Sequence, residues 1–308
     1  MYNNNHPQVD IKMKTNDSLQ RFIFDTIPIR GEFIQLENTF QTIVDQHPYP
    51  APLRQLLGEA LCVAGLLSAI IKFEGRLTVQ FRGKGKLKLL LAQCNNQFQM
   101  RGLIKWEGDL SYEDLMEAFN EGVLVIMLDP GLNKNRYQGI VAWRNSLIES
   151  IEGYFRESEQ LATRLWLGVD KNRAAGYLLQ VIPGVKSDSI EADMLEHQWQ
   201  QITQITSLLN ADTLLETELE PLLQQLYPGE TIRIFPEVSI SFHCSCSRKR
   251  CEDAILLLGR EEAEDELKNK QIIVVTCDFC NKEYSFDRVD VAKIFEDHDK
   301  PPTPTQLH

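Results

Sequence analysis

Positive charge is scarce in this 308-residue sequence. Lys and Arg number 32 against 44 Asp and Glu, which leaves a formal net charge of −12. Such a chain has no general attraction for phosphate backbones or for anionic lipid surfaces. Nucleic acid is therefore not an expected partner.

Long hydrophobic runs are absent as well. The longest, residues 61–71, is about half of the roughly 20 residues that a membrane-spanning helix needs. The first 14 residues are polar and rich in Asn, without the basic and then apolar order of a secretory signal. We therefore expect a soluble, cytoplasmic protein with no membrane partner.

The sequence also lacks a phosphate-binding loop of the G-x-x-x-x-G-K-[ST] type. Its nearest approach, Gly83-Lys84-Gly85, has neither the spacing nor the Ser or Thr. The sequence therefore shows no nucleotide-binding motif that an ATP-driven cycle would need.

Lys and Arg are missing altogether from residues 187–232, although this stretch contains nine acidic residues. Apolar residues recur at helical spacing over residues 194–209 and again over 214–226. One interpretation is two ordinary amphipathic helices packed on a neighbour. The other is a linker whose fold depends on docking and is easily released, because its charges repel one another.

The remaining pattern favours an α+β fold. We predict a buried helix over residues 52–73, a β-meander over 77–106 and a short helix over 111–119. Strands follow at 123–128 and 138–143, then a long helix over 146–167 and a strand over 174–181. The predicted domains are an N-terminal α+β core (1–186), a helical metastable linker (187–236), a C-terminal zinc module (237–298) and a disordered tail (299–308).

Five of the seven cysteines lie between residues 244 and 280. A CxC pair, Cys244 and Cys246, and a CxxC pair, Cys277 and Cys280, are separated by 30 residues. Four thiolates in two short-spaced pairs are typical of a tetrahedral site for one Zn²⁺ per chain, although an iron–sulfur centre uses the same ligand type. Since these four complete a tetrahedron, neither His243 nor Cys251 is expected to be a ligand.

The segment between the two pairs is predicted to fold back as a helix over residues 251–258, a stop at Gly259 and a strand over residues 271–275. A purely structural zinc site explains this pattern. Reversible oxidation is the alternative, because a CxC disulfide closes a small, strained ring, and strained disulfides are the readily reduced kind. Spacing alone leaves both open.

Several pieces of the sequence resemble the 33 kDa chaperonin family, the redox-regulated heat-shock holdases of bacteria. They are Arg30-Gly31-Glu32, the segment YFRESEQ at 154–160, AAGYLLQ at 174–180, and CSCSR at 244–248 with Gly259 and CDFC at 277–280. The resemblance covers almost the whole chain, and the cysteine piece is the most specific. Tyr154, Glu159 and Gln160 are expected to pack and cap rather than to react.

The resemblance implies an ATP-independent chaperone, not an enzyme, that is inactive when reduced and zinc-bound. On oxidation it would release zinc, form the disulfides Cys244–Cys246 and Cys277–Cys280, unfold its linker and bind unfolded or oxidatively damaged proteins. The resemblance is also compatible with formation of a homodimer on activation.

Within the linker, we expect the folded C-terminal module to cover the apolar residues that clients would later contact, namely Trp199, Ile202, Leu208 and Leu209. Two other function classes stay open on the residues alone. They are a zinc-ribbon binding module and a thiol-disulfide oxidoreductase using Cys277 and Cys280.

Overall fold

The computed structural model describes residues 17–131, 136–184 and 190–299. It divides into two compact units, Met1–Phe242 and His243–His308. The predicted linker, residues 187–236, falls in the first unit. The Asn-rich N-terminus and the predicted disordered tail after residue 299 lie outside the described residues.

The first unit contains two six-stranded sheets and seven α-helices among its described residues. The strands are β1 (Ser18–Phe24), β2 (Ile29–Leu36), β3 (Arg76–Arg82), β4 (Leu87–Asn95), β5 (Gln99–Trp106), β6 (Val123–Asp129), β7 (Tyr137–Val141), β8 (Thr163–Val169), β9 (Ala174–Val181), β10 (Ile232–Ile234), β11 (Val238–Ser239) and β12 (Ser241–Phe242). The helices are α1 (Asn38–Val44), α2 (Ala51–Ile70), α3 (Tyr112–Glu121), α4 (Leu147–Tyr154), α5 (Ile190–Thr206), α6 (Ala211–Glu216) and α7 (Leu219–Leu226).

The first sheet has the strand order β10-β1-β2-β9-β8, and β11 also pairs with β1. The second sheet has the order β12-β5-β4-β3-β6-β7, with β12 parallel to β5 and the other described pairs antiparallel. The predicted meander is β3, β4 and β5. Hairpins and segregated helices confirm the α+β class.

Helix α2 is the core helix of the first unit. Apolar residues lie all around it, which is the pattern of a helix buried on every side, and it packs against strands of both sheets. Its length and composition would allow it to cross a membrane, but 78% of its apolar window is buried inside the protein. The predicted helix over residues 52–73 is confirmed and ends three residues earlier, at Ile70.

The predicted helix over residues 146–167 is wrong in its second half. Helix α4 continues as a π-helical turn, Phe155–Glu159, and ends at Gln160, whose φ of 55° is left-handed. Strand β8 follows and pairs along its whole length with β9, from Thr163 opposite Gln180. This pairing with a distant strand decides the conformation, and the local spacing of apolar residues does not reveal it.

Helices α5, α6 and α7 cover the face of the first sheet that is turned away from α2. Trp199 and Ile202 from α5 are buried in one apolar cluster with Phe24 and Tyr177 from the sheet. Strands β10 and β11 then return the chain to the same sheet beside β1. The acidic segment thus connects β9 to β10, which are two strands of the same sheet.

The second unit is small. Its elements are α8 (Arg248–Leu258), α9 (Arg260–Lys270), β13 (Ile273–Thr276), β14 (Glu283–Phe286) and α10 (Arg288–Asp299). Ser247 caps α8, and Gly259, at a φ of 98°, separates α8 from α9. The predicted helix, stop and strand between the cysteine pairs are confirmed, and the acidic run at 261–266 is helical. Eight residues form its core: Cys251, Ile255, Ala263, Leu267, Ile273, Phe286, Val291 and Phe295.

Candidate metal centre

The first cysteine pair lies in the short extended segment between β12 and α8. Cys244 and Cys246 point the same way because one residue, Ser245, separates them in extended backbone. Ser245 accepts a hydrogen bond from Nη1 of Arg250 at 2.6 Å. The pair is thereby held against the first turn of α8.

The second pair forms the turn of the β13–β14 hairpin. The backbone N–H of Cys277 donates to the carbonyl of Lys282 at 3.0 Å, and that of Asn281 donates to the carbonyl of Cys277 at 2.8 Å. Asn281 takes a left-handed φ of 52°, which Asn tolerates better than most residues. This tight turn directs the Cys277 and Cys280 thiols to one side.

The four thiols meet at one point. The Sγ atoms of Cys244 and Cys277 are 3.6 Å apart, those of Cys246 and Cys280 are 3.4 Å apart, and all four lie within 4.8 Å of one another. Zn–S bonds of about 2.3 Å in a tetrahedron require sulfur atoms about 3.8 Å apart. The donor set and its spacing therefore fit a tetrahedral thiolate-bound metal ion such as Zn²⁺.

Hydrogen-bond donors surround the sulfur atoms. The hydroxyl of Tyr284 donates to Sγ of Cys246 at 3.3 Å, and the backbone N–H groups of Cys246 and Lys282 donate to Cys244 and Cys280. Donors of this kind orient metal ligands and stabilise thiolates. The sequence analysis missed Tyr284. The available sequence signal is that Tyr284 lies two residues before Phe286 in a strand. The two side chains therefore lie on the same face of β14, and Phe286 is buried.

The pKa values of Cys244, Cys246 and Cys280 are shifted in different directions. Burial raises the pKa of Cys246, but hydrogen bonds from Tyr284 and the neighbouring thiols outweigh it and lower the pKa to about 7. Burial raises the pKa of Cys244 and of Cys280. These hydrogen bonds therefore favour the thiolate form of Cys246.

The two other candidates of this region, Cys251 and His243, do not belong to the group of four sulfur atoms. Cys251 belongs to the core of the second unit, with 6% of its surface exposed, and burial raises its pKa. His243 is exposed. Neither joins the cysteine cluster. Cys62 and Cys94 are buried in the first unit, where burial raises both pKa values.

The predicted client-contact residues differ in exposure. Trp199 and Ile202 are 9% and 4% exposed, Leu209 is partly buried, and Leu208 is 78% exposed. The cluster that buries Trp199 and Ile202 consists of residues of the first unit. The expectation that the C-terminal module covers these two side chains is therefore corrected, because the apolar face of the first sheet already does so.

A hydrogen-bonded cluster holds the residues of the YFRESEQ segment. The hydroxyl of Tyr154 donates to Oε1 of Glu159 at 2.5 Å and lies 2.8 Å from the hydroxyl of Tyr137. Gln160 ends the π-helical turn. These contacts join α4 to β7 and fit the packing and capping roles that the sequence predicts.

Comparison with known proteins identifies a family. A family model described as Hsp33 protein matches residues 17–287. Among curated relatives, the 33 kDa chaperonin of Pseudomonas paraeruginosa is 41% identical over 287 residues, covering 92% of this chain and 96% of the relative. The 33 kDa chaperonin of Nitrosococcus oceani is 38% identical over 297 residues, covering 96% of this chain and all of the relative.

A solved structure has the same fold. The crystal structure of the 33 kDa chaperonin from Thermotoga maritima, described as a heat shock protein 33 homolog, superposes with a TM-score of 0.76 at 22% identity. It covers 92% of this chain and all of the other.

Proposed function

The chain belongs to the Hsp33 family, and we propose that it is a redox-regulated, ATP-independent holdase that binds unfolding proteins and prevents their aggregation. In this proposal the reduced protein is inactive and holds one Zn²⁺ through Cys244, Cys246, Cys277 and Cys280. Oxidation activates it. The observation that carries the proposal is the meeting of four thiols from two separate segments within 4.8 Å, in a member of a family whose curated relatives are named chaperonins.

The cluster supports a switch because its thiols come from two segments that are separated in the sequence by 30 residues. Zinc, when bound, supplies folding energy of order 10 kcal/mol, which is comparable with the whole stability of a small domain. The second unit has a core of only eight buried apolar side chains. Loss of the thiolate cross-link would therefore leave this unit unable to stay folded.

Oxidation of the thiols by peroxide removes the ligands. A thiolate sulfur attacks peroxide, breaks the O–O bond and becomes a sulfenic acid, while hydroxide leaves and is protonated to water. The sulfur of a second thiol then attacks the sulfenic sulfur, forms the S–S bond and releases a second water. Two thiols are thus oxidised to one disulfide as one peroxide is reduced.

The proposed disulfides are Cys244–Cys246 and Cys277–Cys280. The cross-pair sulfur atoms, Cys244 with Cys277 and Cys246 with Cys280, are also within 3.6 Å, so proximity alone does not select the pairing. Peptide mapping after peroxide tests it. A dominant bridge between the two segments, or one to Cys251, would contradict the proposed pairs.

Release of the linker would then create the client-binding surface. The contact between α5 and the first sheet buries Trp199 and Ile202 on one side and Phe24 and Tyr177 on the other. Separation would expose both sides and the partly buried Leu209, next to the already exposed Leu208, and apolar surface of this kind binds other exposed chains. We propose cytoplasmic location, unfolded clients as partners and a homodimer as the activated assembly.

A light-scattering assay of client aggregation tests the function. Peroxide with mild heat is expected to convert the protein from inert to protective at a near-stoichiometric ratio to client. ATP should have no effect, and dithiothreitol with Zn²⁺ should reverse the change. Equal protection by the reduced zinc form would overturn the redox switch. Catalytic turnover of a disulfide substrate would instead support an oxidoreductase.

A further inference from the structure

A cavity of about 500 Å³ lies in the first unit where α2 ends above the first sheet. Its apolar walls come from the end of α2, from β1, from the residue after β9 and from the segment that joins β10 to β11. The apolar wall residues include Ile23, Ala69, Ile182, Phe235 and Val238. Its polar lining comes from Arg21, Arg30 and Glu32, and the metal centre and the linker contacts use none of these three.

The outer wall of the cavity is a β-bulge. Leu19 pairs with Val238 and Phe22 pairs with Ile234, so two residues of β1 face three residues of the partner segment. The extra residue and Pro236, which has no N–H, push this segment away from the sheet. Phe235 is left 39% exposed at the mouth, although its backbone N–H still donates to the carbonyl of Arg21 at 2.8 Å.

The polar lining contains hydrogen-bonding groups that the protein itself does not use. Glu32 is 2% exposed, and its Oε2 contacts Nε of Arg21 only at 3.6 Å. Within the described chain, Oε2 of Glu32 and Nε of Arg30 are buried and have no hydrogen-bond partner. Buried polar atoms in native proteins are normally paired, so these unpaired atoms mark a polar site beside the cavity whose hydrogen bonds are incomplete.

The charges at this place do not cancel. Nη2 of Arg30 donates to neutral groups, Oε1 of Gln180 at 2.5 Å and the carbonyl of Ile70 at 3.4 Å. Burial raises the pKa of Glu32 to about 8, against the opposing effect of Arg21 and Arg30. Burial therefore favours the protonated carboxyl, so that Glu32 does not fully balance the charge of the two guanidinium groups that line the cavity.

We propose that this cavity binds a small monocarboxylate with an alkyl chain. Its carboxylate would accept hydrogen bonds from Arg21 and Arg30, and its chain would lie between Ala69, Ile182 and Phe235. Guanidinium groups pair well with carboxylates in partly buried sites, and apolar walls select a ligand with a hydrocarbon portion. The proposal concerns the first unit alone and does not depend on the redox switch.

Calorimetric titration of the full-length reduced protein with sodium octanoate at pH 7 tests the proposal. Saturable one-to-one binding is expected. Octanol lacks the anion and acetate lacks the chain, so each should bind at least about tenfold more weakly. Absence of saturable octanoate binding, or equal binding of octanol, would overturn the proposal.

Two matched variants locate the site. Arg21→Gln removes a half-exposed guanidinium from the cavity and is expected to weaken octanoate binding about tenfold. Arg233→Gln makes the same charge change on neighbouring β10, outside the cavity lining, and should leave binding unchanged. An equal effect of both variants would mean that only general charge attraction is at work.

The pH dependence supplies a separate test. Arg21 from β1 and Arg30 from β2 are the charged groups acting on Glu32, whereas Ala69 of α2 and Val238 of β11 carry no charge. Binding should weaken as the pH rises through about 8, since ionised Glu32 repels the ligand. Glu32→Gln should bind octanoate at pH 7 and lose this pH dependence. An unchanged pH profile in Glu32→Gln would contradict the assigned place of the carboxylate.

Discussion

At the scale of single residues, the metal centre depends on the groups that orient the thiols as well as on the thiols. Tyr284 donates to Cys246, and the guanidinium of Arg248 lies 4.3 Å above the ring of Phe286 and pairs with Asp290 at 2.8 Å. Arg248 therefore ties the first turn of α8 to β14 and α10. In the folded unit these contacts help to hold the two cysteine pairs in register.

The ligand set can be tested one residue at a time. Native mass spectrometry of the reduced protein is expected to find one zinc per chain, and Cys244→Ser should lower that occupancy sharply. Cys251→Ser and His243→Ala should keep it, because Cys251 lies in the apolar core and His243 is exposed. Loss of zinc from the Cys251→Ser protein would refute the proposed ligands.

The hydroxyl of Tyr284 should influence metal affinity without being a ligand. Tyr284→Phe removes a hydrogen bond that stabilises the Cys246 thiolate, and we expect zinc affinity to fall about tenfold. Competition with a chromophoric chelator measures this. Tyr137→Phe, which removes a tyrosine hydroxyl in the first unit, is the matched control. No difference between the two variants would show that the hydroxyl does not support the thiolate.

At the scale of elements, hydrogen bonds from the first sheet and from the turn between β8 and β9 hold α6 and the link between α6 and α7. Nε2 of Gln35 donates to the carbonyls of Leu214 and Thr217, and Nη1 of Arg173 donates to the carbonyl of Leu215. Five glutamates and a single basic residue, Arg173, line the cavity beside this link; the glutamates are Glu37, Glu216, Glu218, Glu220 and Glu237. Mutual repulsion of these carboxylates favours separation once the apolar contacts weaken.

A Glu-specific protease should therefore detect release of the linker. Oxidised protein is expected to be cut rapidly at Glu216, Glu218 or Glu220, and reduced protein slowly, as followed by mass spectrometry of the fragments. Trypsin cannot serve, since residues 187–232 contain no Lys or Arg. Equal rates in both redox states would mean that this segment does not move.

The same assay can test the contacts that hold the link. Gln35→Ala removes two hydrogen bonds to the α6–α7 link and is expected to raise the cleavage rate of the reduced protein several-fold, since each bond contributes about 1 kcal/mol. Gln93→Ala on β4 is the matched control, because its side chain contacts Thr78 and Arg101 instead. A similar cleavage rate for both variants would show that the hydrogen bonds of Gln35 do not hold the link in place.

At the scale of the whole molecule, the two units differ in what holds them together. The first has a large core built around α2 and two sheets, whereas the second has eight buried core residues and the cysteine cluster. A chain of some 60 residues with so small a core usually needs a metal or disulfides to fold. The four clustered cysteines, which could hold a metal ion, fit that requirement.

Hydrogen exchange should resolve the two units. Oxidation in the presence of a zinc chelator is expected to remove backbone protection from β13, β14 and α8, while the central strands β2 and β9 keep theirs. The reason is that only the second unit depends on the thiolate cross-link for folding. Mass spectrometry of peptic fragments measures both regions in one experiment. Retained protection in β13 and β14 would contradict metal-dependent folding of this unit.

The sequence by itself determined the features that depend on local spacing. The cysteine pairs, helix α2 and the acidic segment without Lys or Arg could all be predicted from the sequence, because each follows from residue type and short-range periodicity. Only the tertiary structure decided that residues 163–169 form β8, that the first sheet covers Trp199 and Ile202, and that Tyr284 reaches Cys246. It also brought Arg21, Arg30 and Glu32 to one cavity. These outcomes depend on strand pairing and packing between residues far apart in the chain, and local propensity carries no record of such contacts.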